Sequence, residues 1–443
     1  MARVALIGLW HLGTVAAVGL ARLGHTVRAT DPDSETVRRL QHNQPPLYEP
    51  GLTEALSSQL AAGSLSLDTN LASALSDAEV VFITFDIPVD ENDQSDLSPI
   101  VAAFDTLALH APSPVVIVLM SQVPVRTCRM LDARLRSHAP RLDFQLVYHP
   151  ENLRLGEALK TFLLPDFLVV GAETPSAADR LVSLYAGVES SILRMSWESA
   201  EMAKHALNAF LATSISFANQ IADLTELADA DIRDVVRVLR ADRRIGPHAF
   251  LSPGPGYSGG TLGRDVQALL CLAKRHSLPA PQLTATWEIN QSRLGRLVGQ
   301  VARTCSGLRG KRIALLGLTY KPGTDTLRRS HSLALAALLR RQGATVVAFD
   351  PCIASPRPET QEISLAANPQ FALAGADAVI LCTPWPEFRR LDLVALRKEV
   401  RTPCFFDCQN FLDPSAARNS GWDYHGVGIP CPSLRVKHKG AAR

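Results

Sequence analysis

Short apolar runs alternate with amphipathic stretches along the first third of the chain. The runs that predict strands are 4–7, 25–30, 80–85, 115–120, 144–148 and 168–171. The stretches between them have the apolar spacing of helices, and strands that alternate with helices form parallel sheets covered on both faces. The pattern therefore predicts a doubly wound α/β fold for this part of the chain.

The pattern changes to long helical periodicity near Trp197. A helix is predicted onward to Leu227, with further helical segments over 231–239 and 264–303. Lys204 and Asn208 lie four residues apart and share one face of the first helix, among apolar neighbours. A lysine in this position either extends to water along its apolar stem or serves a site, and spacing alone leaves both interpretations open.

The last third of the chain repeats the first. Residues 312–318 resemble 3–9, and residues 343–351 resemble 24–32, where both segments end in Asp-Pro. The repeat predicts two Rossmann-like doubly wound parallel sheets joined by a central helical domain. We expect domain boundaries at 1–190, 191–305 and 306–435, followed by a basic tail over 436–443.

Composition describes a folded protein without a strong electrostatic preference. Of 443 residues, 47% are hydrophobic and 20% charged, and the formal net charge is +2. This balance provides no global field for nucleic acid or for a membrane surface, so neither is expected as a partner. The first residues lack the charged and apolar regions of a signal peptide, and no run of about 18 apolar residues occurs, so we expect neither a signal peptide nor a membrane-spanning helix. The eight cysteines include no CxxC pair, so we expect reduced thiols, a cytoplasmic location and no metal site.

The first strand is followed by a turn that predicts a dinucleotide site. Gly8 and Gly13 bracket the turn, a helix runs to Leu23, and the second strand ends in Asp31. In such units the helix N-terminus binds the pyrophosphate and the acid binds the ribose hydroxyls, and the absence of an arginine beside Asp31 favours NAD over NADP. Trp10 replaces the middle glycine, so its indole is either turned away from the phosphates or fills part of their site.

A second glycine-rich loop spans 254–265 and carries five glycines in twelve residues. A flexible hinge has the same composition, but the loop ends in Arg264 and Asp265 at a helix start, where N–H groups and charges hold polar ligands. In the repeated unit, the turn over 320–323 replaces the glycine fingerprint. Lys321 and Arg328 there are either ligands of a nucleotide diphosphate or ordinary exposed cations.

From residue 3 to residue 429 the chain resembles the UDP-glucose/GDP-mannose dehydrogenase family. The segments that carry the resemblance stand in the family's order. They are 31–33, 46–52, 96–98, 123–124, 149–151 with 153–154, 200–208, 242–246, the loop at 254–265, 310–321, 324–325, 385 and 387–389. Together these motifs are highly specific, whereas no single one would be.

The resemblance implies an enzyme that oxidises C6 of a nucleotide sugar twice with NAD, through a cysteine thioester. It assigns catalytic roles to Lys204, Asn208, Asp265 and Glu151, with Thr261 at the position of the nucleophile. Its cofactor-binding positions are Gly8, His11, Leu12, Gly13, Asp31, Ser121 and Arg328. Its substrate-binding positions are Leu153, Arg244, Tyr257, Gly259 and Lys321, and Arg244 is expected to reach the sugar site of a homodimer partner through the helical middle.

Several residues depart from the family's pattern within the catalytic and binding segments. Thr261 stands where the family has its cysteine, and an alcohol has no accessible anionic form near neutral pH. Gln409 replaces an arginine and Arg329 an acid. We therefore expect an NAD-dependent dehydrogenase acting on a UDP-hexose through an aldehyde or hydrate route. The alternative is a nucleotide-sugar binding protein without redox turnover, whereas the second Rossmann unit argues against a hydroxyacid dehydrogenase.

Overall fold

A computed structural model describes residues 1–88, 95–258 and 261–431. The chain divides into two compact units, of which the first comprises residues 1–207 and the second begins at Asn208. Among the described residues, no helix combines the length and the apolar character that crossing a bilayer requires.

The first unit contains an eight-stranded sheet in the order β3-β2-β1-β4-β5-β6-β7-β8. All neighbouring pairs are parallel except β6 and β7, which are antiparallel. The strands are β1 (Arg3–Ile7), β2 (Thr26–Thr30), β3 (Leu65–Asp68), β4 (Val80–Ile83), β5 (Val115–Leu119), β6 (Phe144–Tyr148), β7 (Phe167–Ala172) and β8 (Ser191–Met195).

Helices cover both faces of this sheet. They are α1 (His11–Arg22), α2 (Ser34–Gln41), α3 (Leu52–Ala61), α4 (Leu71–Leu75), α5 (Ser98–His110), α6 (Thr127–His138), α7 (Ala158–Leu163) and α8 (Pro175–Ser183). Alternate side chains of a strand point to opposite faces. Val4 and Leu6 of β1 accordingly belong to one apolar core, and Ala5 and Ile7 belong to the other. Burial on both faces explains why these strands are continuous apolar runs.

Helix α9 (Trp197–Leu227) starts in the first unit and continues in the second. The second unit contains a six-stranded parallel sheet in the order β11-β10-β9-β12-β13-β14. Its strands are β9 (Arg312–Leu316), β10 (Thr345–Phe349), β11 (Ser364–Leu365), β12 (Ala378–Leu381), β13 (Cys404–Asp407) and β14 (Asp423–Gly426).

The helices of the second unit are mostly short and capped by side chains. They are α10 (Ile232–Ala241), α11 (Leu262–Arg275), α12 (Pro281–Thr304), α13 (His331–Arg341), α14 (Pro369–Leu373), α15 (Leu393–Glu399) and α16 (Pro414–Asn419), with 3₁₀ turns at Pro358–Thr360 and Pro386–Arg390. Asp231, Ser330 and Asp392 each accept a backbone N–H of the first helical turn. Such caps satisfy donors that have no partner inside the helix.

The expected fold class, two Rossmann-like sheets with helices between them, is confirmed. Two details differ from the sequence prediction. The helical segment expected over 264–303 is two helices, because Ser277 adopts a left-handed φ of 52° and Pro281 starts a new helix. Strands β3 and β8 were not predicted, since Leu65–Asp68 is short and half polar and β8 is largely exposed.

Candidate active site

The turn after β1 lies where the strand order of the first sheet reverses, next to the end of β4. A Cβ added to Gly13 would lie 1.7 Å from the carbonyl oxygen of Gly8. Gly8 itself has a φ of 101°, and the hydroxyl of Thr84 donates a 2.7 Å hydrogen bond to its carbonyl. The start of α1 is thereby packed directly on the turn, which is the arrangement that brings helix N–H groups to a bound pyrophosphate.

Asp31 stands at the end of β2, beside this turn. Its carboxylate accepts the N–H of Leu9 at 2.6 Å and the N–H of Asp33 at 2.9 Å. A carboxylate fixed in this place fits the ribose hydroxyls of NAD. Trp10 adopts a φ of −68°, so the backbone there does not need a glycine, and its side chain is 40% exposed. The residues of the turn therefore fit the dinucleotide expected from the sequence.

His11 and Leu12 open helix α1, and the structure gives them different surroundings. The ring Nε2 of His11 lies 2.8 Å from the Glu49 carboxylate, which also accepts the N–H groups of Gly156 and Ala158. Burial would raise the pKa of Glu49, but these hydrogen bonds, His11 first, lower it below its usual value. Leu12 packs against the apolar core. The cofactor roles expected for both residues stay predictions.

Ser121 lies at the carboxyl end of β5 and is fully buried. Its N–H and its hydroxyl both approach the carbonyl of Ile83, at 3.3 and 3.5 Å. The segment that follows is fixed by Glu201, whose carboxylate accepts the N–H groups of Arg126 and Cys128 at the start of α6. Burial raises the pKa of this glutamate above its usual value. Glu201 is therefore a structural residue that shapes the loop carrying Ser121.

Two polar residues of the first unit, Glu151 and Asn152, lie around the Lys204 ammonium. Lys204 Nζ donates to the Glu151 carbonyl, lies 3.6 Å from the Glu151 carboxylate and 3.3 Å from Asn152 Oδ1. The lysine side chain is only 5% exposed. It therefore does not extend to water along its stem, and the catalytic role expected for it stays a prediction. Leu153, a predicted substrate contact, donates its N–H to the Glu151 carboxylate and packs against the core.

The second unit holds another buried polar pair. Asn208 Nδ2 donates to Asp265 Oδ2, and the two residues are 6% and 0% exposed. Asp265 lies in the first turn of α11, and Thr261 is the N-cap residue of that helix, without a side-chain capping bond. Thr261 is exposed. Cys271, the next cysteine along α11, is about 15 Å farther along the helix axis, so it does not reach the position of Thr261.

A cavity of about 230 Å³ opens beside the glycine-rich loop, and Tyr257, Lys321 and Gln409 line it. A neighbouring cavity of about 380 Å³ shares Gly256 and Gln409 with it and is also lined by Phe250. Both lie at the carboxyl edge of the second sheet, where ligands of doubly wound sheets bind. The structure thus brings together two of the predicted substrate residues, Tyr257 and Lys321. Gly259, another of the five predicted substrate residues, lies outside the described residues.

His331 also lines the smaller cavity, at the first position of α13. Burial lowers its pKa to about 4, against a weaker opposing effect of a hydrogen bond with the Tyr257 backbone. The imidazole is therefore neutral near pH 7 and offers one donor and one acceptor. Sequence reasoning missed this residue, although its place just after the turn at 320–323 was a usable signal.

The sequence pointed to Gln409 only as a replacement for an arginine of the family's pattern. In the structure, neighbouring residues hold its side chain in place. Its side-chain amide donates to the carbonyl of Cys382 at 2.9 Å. The Asp407 carboxylate accepts the N–H groups of Gln409, Phe411 and Leu412. A neutral amide thus occupies a fixed position between the two cavities.

The repeated unit differs from the first in the surroundings of the aspartate that follows its second strand. Asp350, the counterpart of Asp31, is 3% exposed and accepts the N–H groups of Leu318 and Thr319 and the indole N–H of Trp385. Its oxygens are thus engaged inside the protein, where they satisfy buried donors.

Two predicted residues are exposed. The Arg244 side chain is 88% exposed and forms a 2.6 Å ion pair with Asp242. Arg328 is exposed, and its N–H donates to Thr326 Oγ1. Neither lines the cavities, so the substrate role of Arg244 and the cofactor role of Arg328 stay predictions.

Sequence models of the UDP-glucose/GDP-mannose dehydrogenase family match three consecutive segments of the chain. The NAD binding domain of the family matches residues 2–189, the central domain 198–292 and the UDP binding domain 314–414. The first segment contains the turn at Gly8 and Asp31, and the third contains Lys321, His331 and Gln409. The cofactor is accordingly NAD.

Curated relatives align with almost the entire chain. The UDP-glucose 6-dehydrogenase of Pseudomonas aeruginosa is 36% identical over 443 aligned positions, which cover 97% of this chain and 98% of the relative. The UDP-glucose 6-dehydrogenase of Rhizobium meliloti is 35% identical and covers 97% and 100%. The solved UDP-glucose dehydrogenase from Pyrobaculum islandicum superposes with a TM-score of 0.88 at 32% identity, covering 97% and 98% of the two chains.

Proposed function

Because this chain belongs to the UDP-glucose/GDP-mannose dehydrogenase family and is an NAD-dependent nucleotide-sugar dehydrogenase, we propose that it oxidises C6 of a UDP-hexose without a cysteine thioester. One observation carries the second part of the proposal. Thr261, to which the resemblance assigns the position of the nucleophile, is the N-cap residue of α11, and the only cysteine of that helix, Cys271, lies farther along it.

The choice of a UDP-hexose is supported by the second unit and by the relatives. The matched UDP binding domain contains the cavity residues Lys321 and Gln409. The two curated relatives with the highest identities given above are named UDP-glucose 6-dehydrogenases. Lys321 supplies positive charge for a diphosphate, and Tyr257 and the neutral His331 supply an aromatic wall and uncharged hydrogen bonds for a sugar or a base.

The chemistry at C6 needs stabilisation of an oxygen and removal of a proton. When bound, NAD accepts the hydride from C6. We assign the buried Lys204 ammonium to the C6 oxygen, whose negative charge it stabilises as the O–H proton leaves. The carboxylates of Glu151 and Asp265 are assigned to the proton, which passes through water, and Asn208 holds Asp265 in position.

Neither oxidation level requires a covalent bond to the protein. Loss of one hydride and one proton converts the alcohol to the aldehyde. Water then adds to the aldehyde, and loss of a second hydride and proton from this hydrate gives the acid. A threonine hydroxyl is a poor nucleophile without a base beside it, whereas a thiol has an accessible thiolate. The hydrate route therefore replaces the thioester.

The assembly we propose is a homodimer through α9. Phe210, Phe217 and Leu224 recur every seven residues on this helix and are 70%, 45% and 55% exposed. A stripe of large apolar side chains with this spacing is typical of a helix that packs against a partner. In this dimer we assign the exposed Arg244 to the partner's sugar site. A monomeric mass in solution at micromolar concentration would count against both statements.

A substrate panel tests the proposal. The full-length protein is incubated with NAD and one of several UDP-hexoses, GDP-mannose or a hydroxyacid, NADH is counted per sugar consumed, and products are identified by mass. We expect NADH only with a UDP-hexose, at one or two equivalents per sugar. Binding of the sugar without NADH would identify a binding protein in which Trp10 obstructs the cofactor, and turnover of GDP-mannose alone would refute the choice of nucleotide.

A further inference from the structure

A group of three potential metal ligands lies at the amino edge of the second sheet, opposite the edge that carries the cavities. Asp423 and His425 belong to β14, the edge strand, and Cys431 follows it. One ligand atom from each residue lies within 4.8 Å of the other two. Nothing in the proposed dehydrogenase reaction uses these residues.

The spacing of the three atoms fits a single small cation. Asp423 Oδ2 lies 3.1 Å from His425 Nε2, and Asp423 Oδ1 lies 3.6 Å from Cys431 Sγ. Around a tetrahedral zinc ion, bond lengths of about 2.0 Å to nitrogen and oxygen and about 2.3 Å to sulfur place ligand atoms roughly 3.3 to 3.5 Å apart. The side chains therefore need only small rotations to share one ion.

The surroundings of the buried His425 ring are a second, independent observation in favour of a metal site. The residue is 3% exposed, and its ring stacks on Phe406 with centroids 4.7 Å apart and planes 14° apart. Neither ring nitrogen makes a hydrogen bond of acceptable geometry with the described residues. The Asp423 carboxylate and the Cys431 thiol both face this ring. A buried polar group in this condition calls for an explanation, and a bound ion provides one.

We propose that Asp423, His425 and Cys431 bind one Zn²⁺ ion. A thiolate, an imidazole and a carboxylate form a donor set typical of zinc, whereas magnesium and calcium take oxygen ligands. The Asp423 side chain is 30% exposed, which leaves a path for the ion to enter. The fourth ligand is water or Cys404, which stands in register with Asp423 on the neighbouring strand.

The ion would tie the chain after β14 back to the edge of the sheet. Because the ligands are assembled only in the folded state, binding adds to the free energy of unfolding of this unit. The sequence predicted no metal site, because it contains no CxxC pair, whereas these three ligands come from a strand and from the last described residue, Cys431.

The test uses the untagged full-length protein and Zn²⁺ as the probe. The protein is stripped with a chelator, and Zn²⁺ uptake is measured by competition with a chromophoric chelator and by elemental analysis. We expect one ion per chain and a Tm that rises with Zn²⁺. Cys431→Ser and His425→Gln should each weaken binding at least about 100-fold, and Cys352→Ser, which changes an exposed cysteine, should not.

Cobalt substitution makes the test independent of stability. Co²⁺ should give d–d bands and a thiolate charge-transfer band in the wild type. The charge-transfer band should vanish in Cys431→Ser. If His425→Gln fails to fold, the result for Cys431→Ser decides the test. The proposal is overturned if no ion is retained, if uptake persists unchanged in Cys431→Ser, if Cys352→Ser abolishes it equally, or if the Co²⁺ complex lacks the thiolate band.

Discussion

The Lys204 ammonium lies 3.6 Å from the Glu151 carboxylate and donates to the backbone carbonyl of the same residue. A lysine whose side chain is 5% exposed is thereby held by two groups of Glu151, with Asn152 Oδ1 a further 3.3 Å contact. An ammonium fixed in a buried place acts more strongly on a neighbouring oxygen than it would in water. This contact is the basis for assigning Lys204 to the C6 oxygen.

Lys204→Ala should lower kcat by about 100-fold or more, since loss of a charge that stabilises a developing oxyanion in a closed site costs roughly 3 kcal/mol. Steady-state NADH formation with the UDP-hexose found active measures the effect. Lys160→Ala, which changes an exposed lysine of α7, is the matched control and should leave kcat unchanged. An unchanged kcat in Lys204→Ala would remove this residue from the mechanism.

Thr261→Ala should lower kcat less than tenfold, because the exposed hydroxyl makes no capping bond and the proposed route needs no nucleophile from the protein. The same NADH assay at saturating sugar measures it, side by side with Lys204→Ala. A drop of several orders of magnitude in Thr261→Ala, with Lys204→Ala little affected, would mean that the hydroxyl forms the covalent intermediate after all.

Gly13→Ala should weaken NAD binding at least about 100-fold. Its Cβ would lie 1.7 Å from the Gly8 carbonyl oxygen, so the helix must move away from the turn, and a displacement of about 1 Å at such a site has effects of this size. Titration calorimetry with NAD gives the affinity, and circular dichroism shows whether the variant is folded.

The control for this variant is Gly295→Ala. No atom lies within 4 Å of a Cβ at Gly295, and alanine is favoured in a helix interior such as α12. This variant should bind NAD as the wild type does and unfold at the same or a slightly higher temperature. A folded Gly13→Ala variant with normal NAD affinity would place the cofactor elsewhere.

Acid should destabilise the second unit through His331. Its pKa is lowered from 6.5 to about 4 by burial, so between these values the unfolded chain binds a proton that the folded chain does not. The free energy of unfolding therefore falls as the pH falls from 6.5 to 4 and is unaffected by this group above that window. Some of the side chain remains in contact with water, and we expect a loss of about 2 kcal/mol.

Urea unfolding at several pH values measures this dependence. His331→Gln removes the titration while it keeps a neutral polar side chain, so its curve should be flatter than that of the wild type between pH 6.5 and 4. The carboxylates of the protein contribute equally to both curves, so their contributions cancel when the curve of the variant is subtracted from that of the wild type. Parallel curves for the two proteins would show that His331 is not buried as a neutral imidazole.

Sequence patterns predicted those parts of the fold that depend on local periodicity. Strands such as β1 and β5 were recognised because burial on both faces makes them continuously apolar. Strand β8 has mostly exposed side chains, so it carries no such signal. The repeat of the unit around Asp31 by the unit around Asp350 also predicted the second sheet.

The site was harder to predict where distant segments meet. Glu49 pairs with His11 across 38 positions of sequence, and neither hydrophobic pattern nor motif spacing reports such a contact. His331 and Gln409 reach one cavity from different strand ends. Residue identity at Lys204 suggested a site only together with the resemblance, because its burial and its contact with Glu151 are tertiary properties.

The central claim is that C6 oxidation proceeds without a covalent sugar on the protein, and intact-protein mass spectrometry during turnover tests it directly. The enzyme is mixed with NAD and the active UDP-hexose, quenched with acid at times that span several turnovers, and weighed while NADH is recorded from the same mixture. We predict that NADH accumulates while the full-length chain keeps its unmodified mass at every time point. A species heavier by the sugar nucleotide, mapped by digestion to Cys271, Thr261 or another residue, would contradict the account.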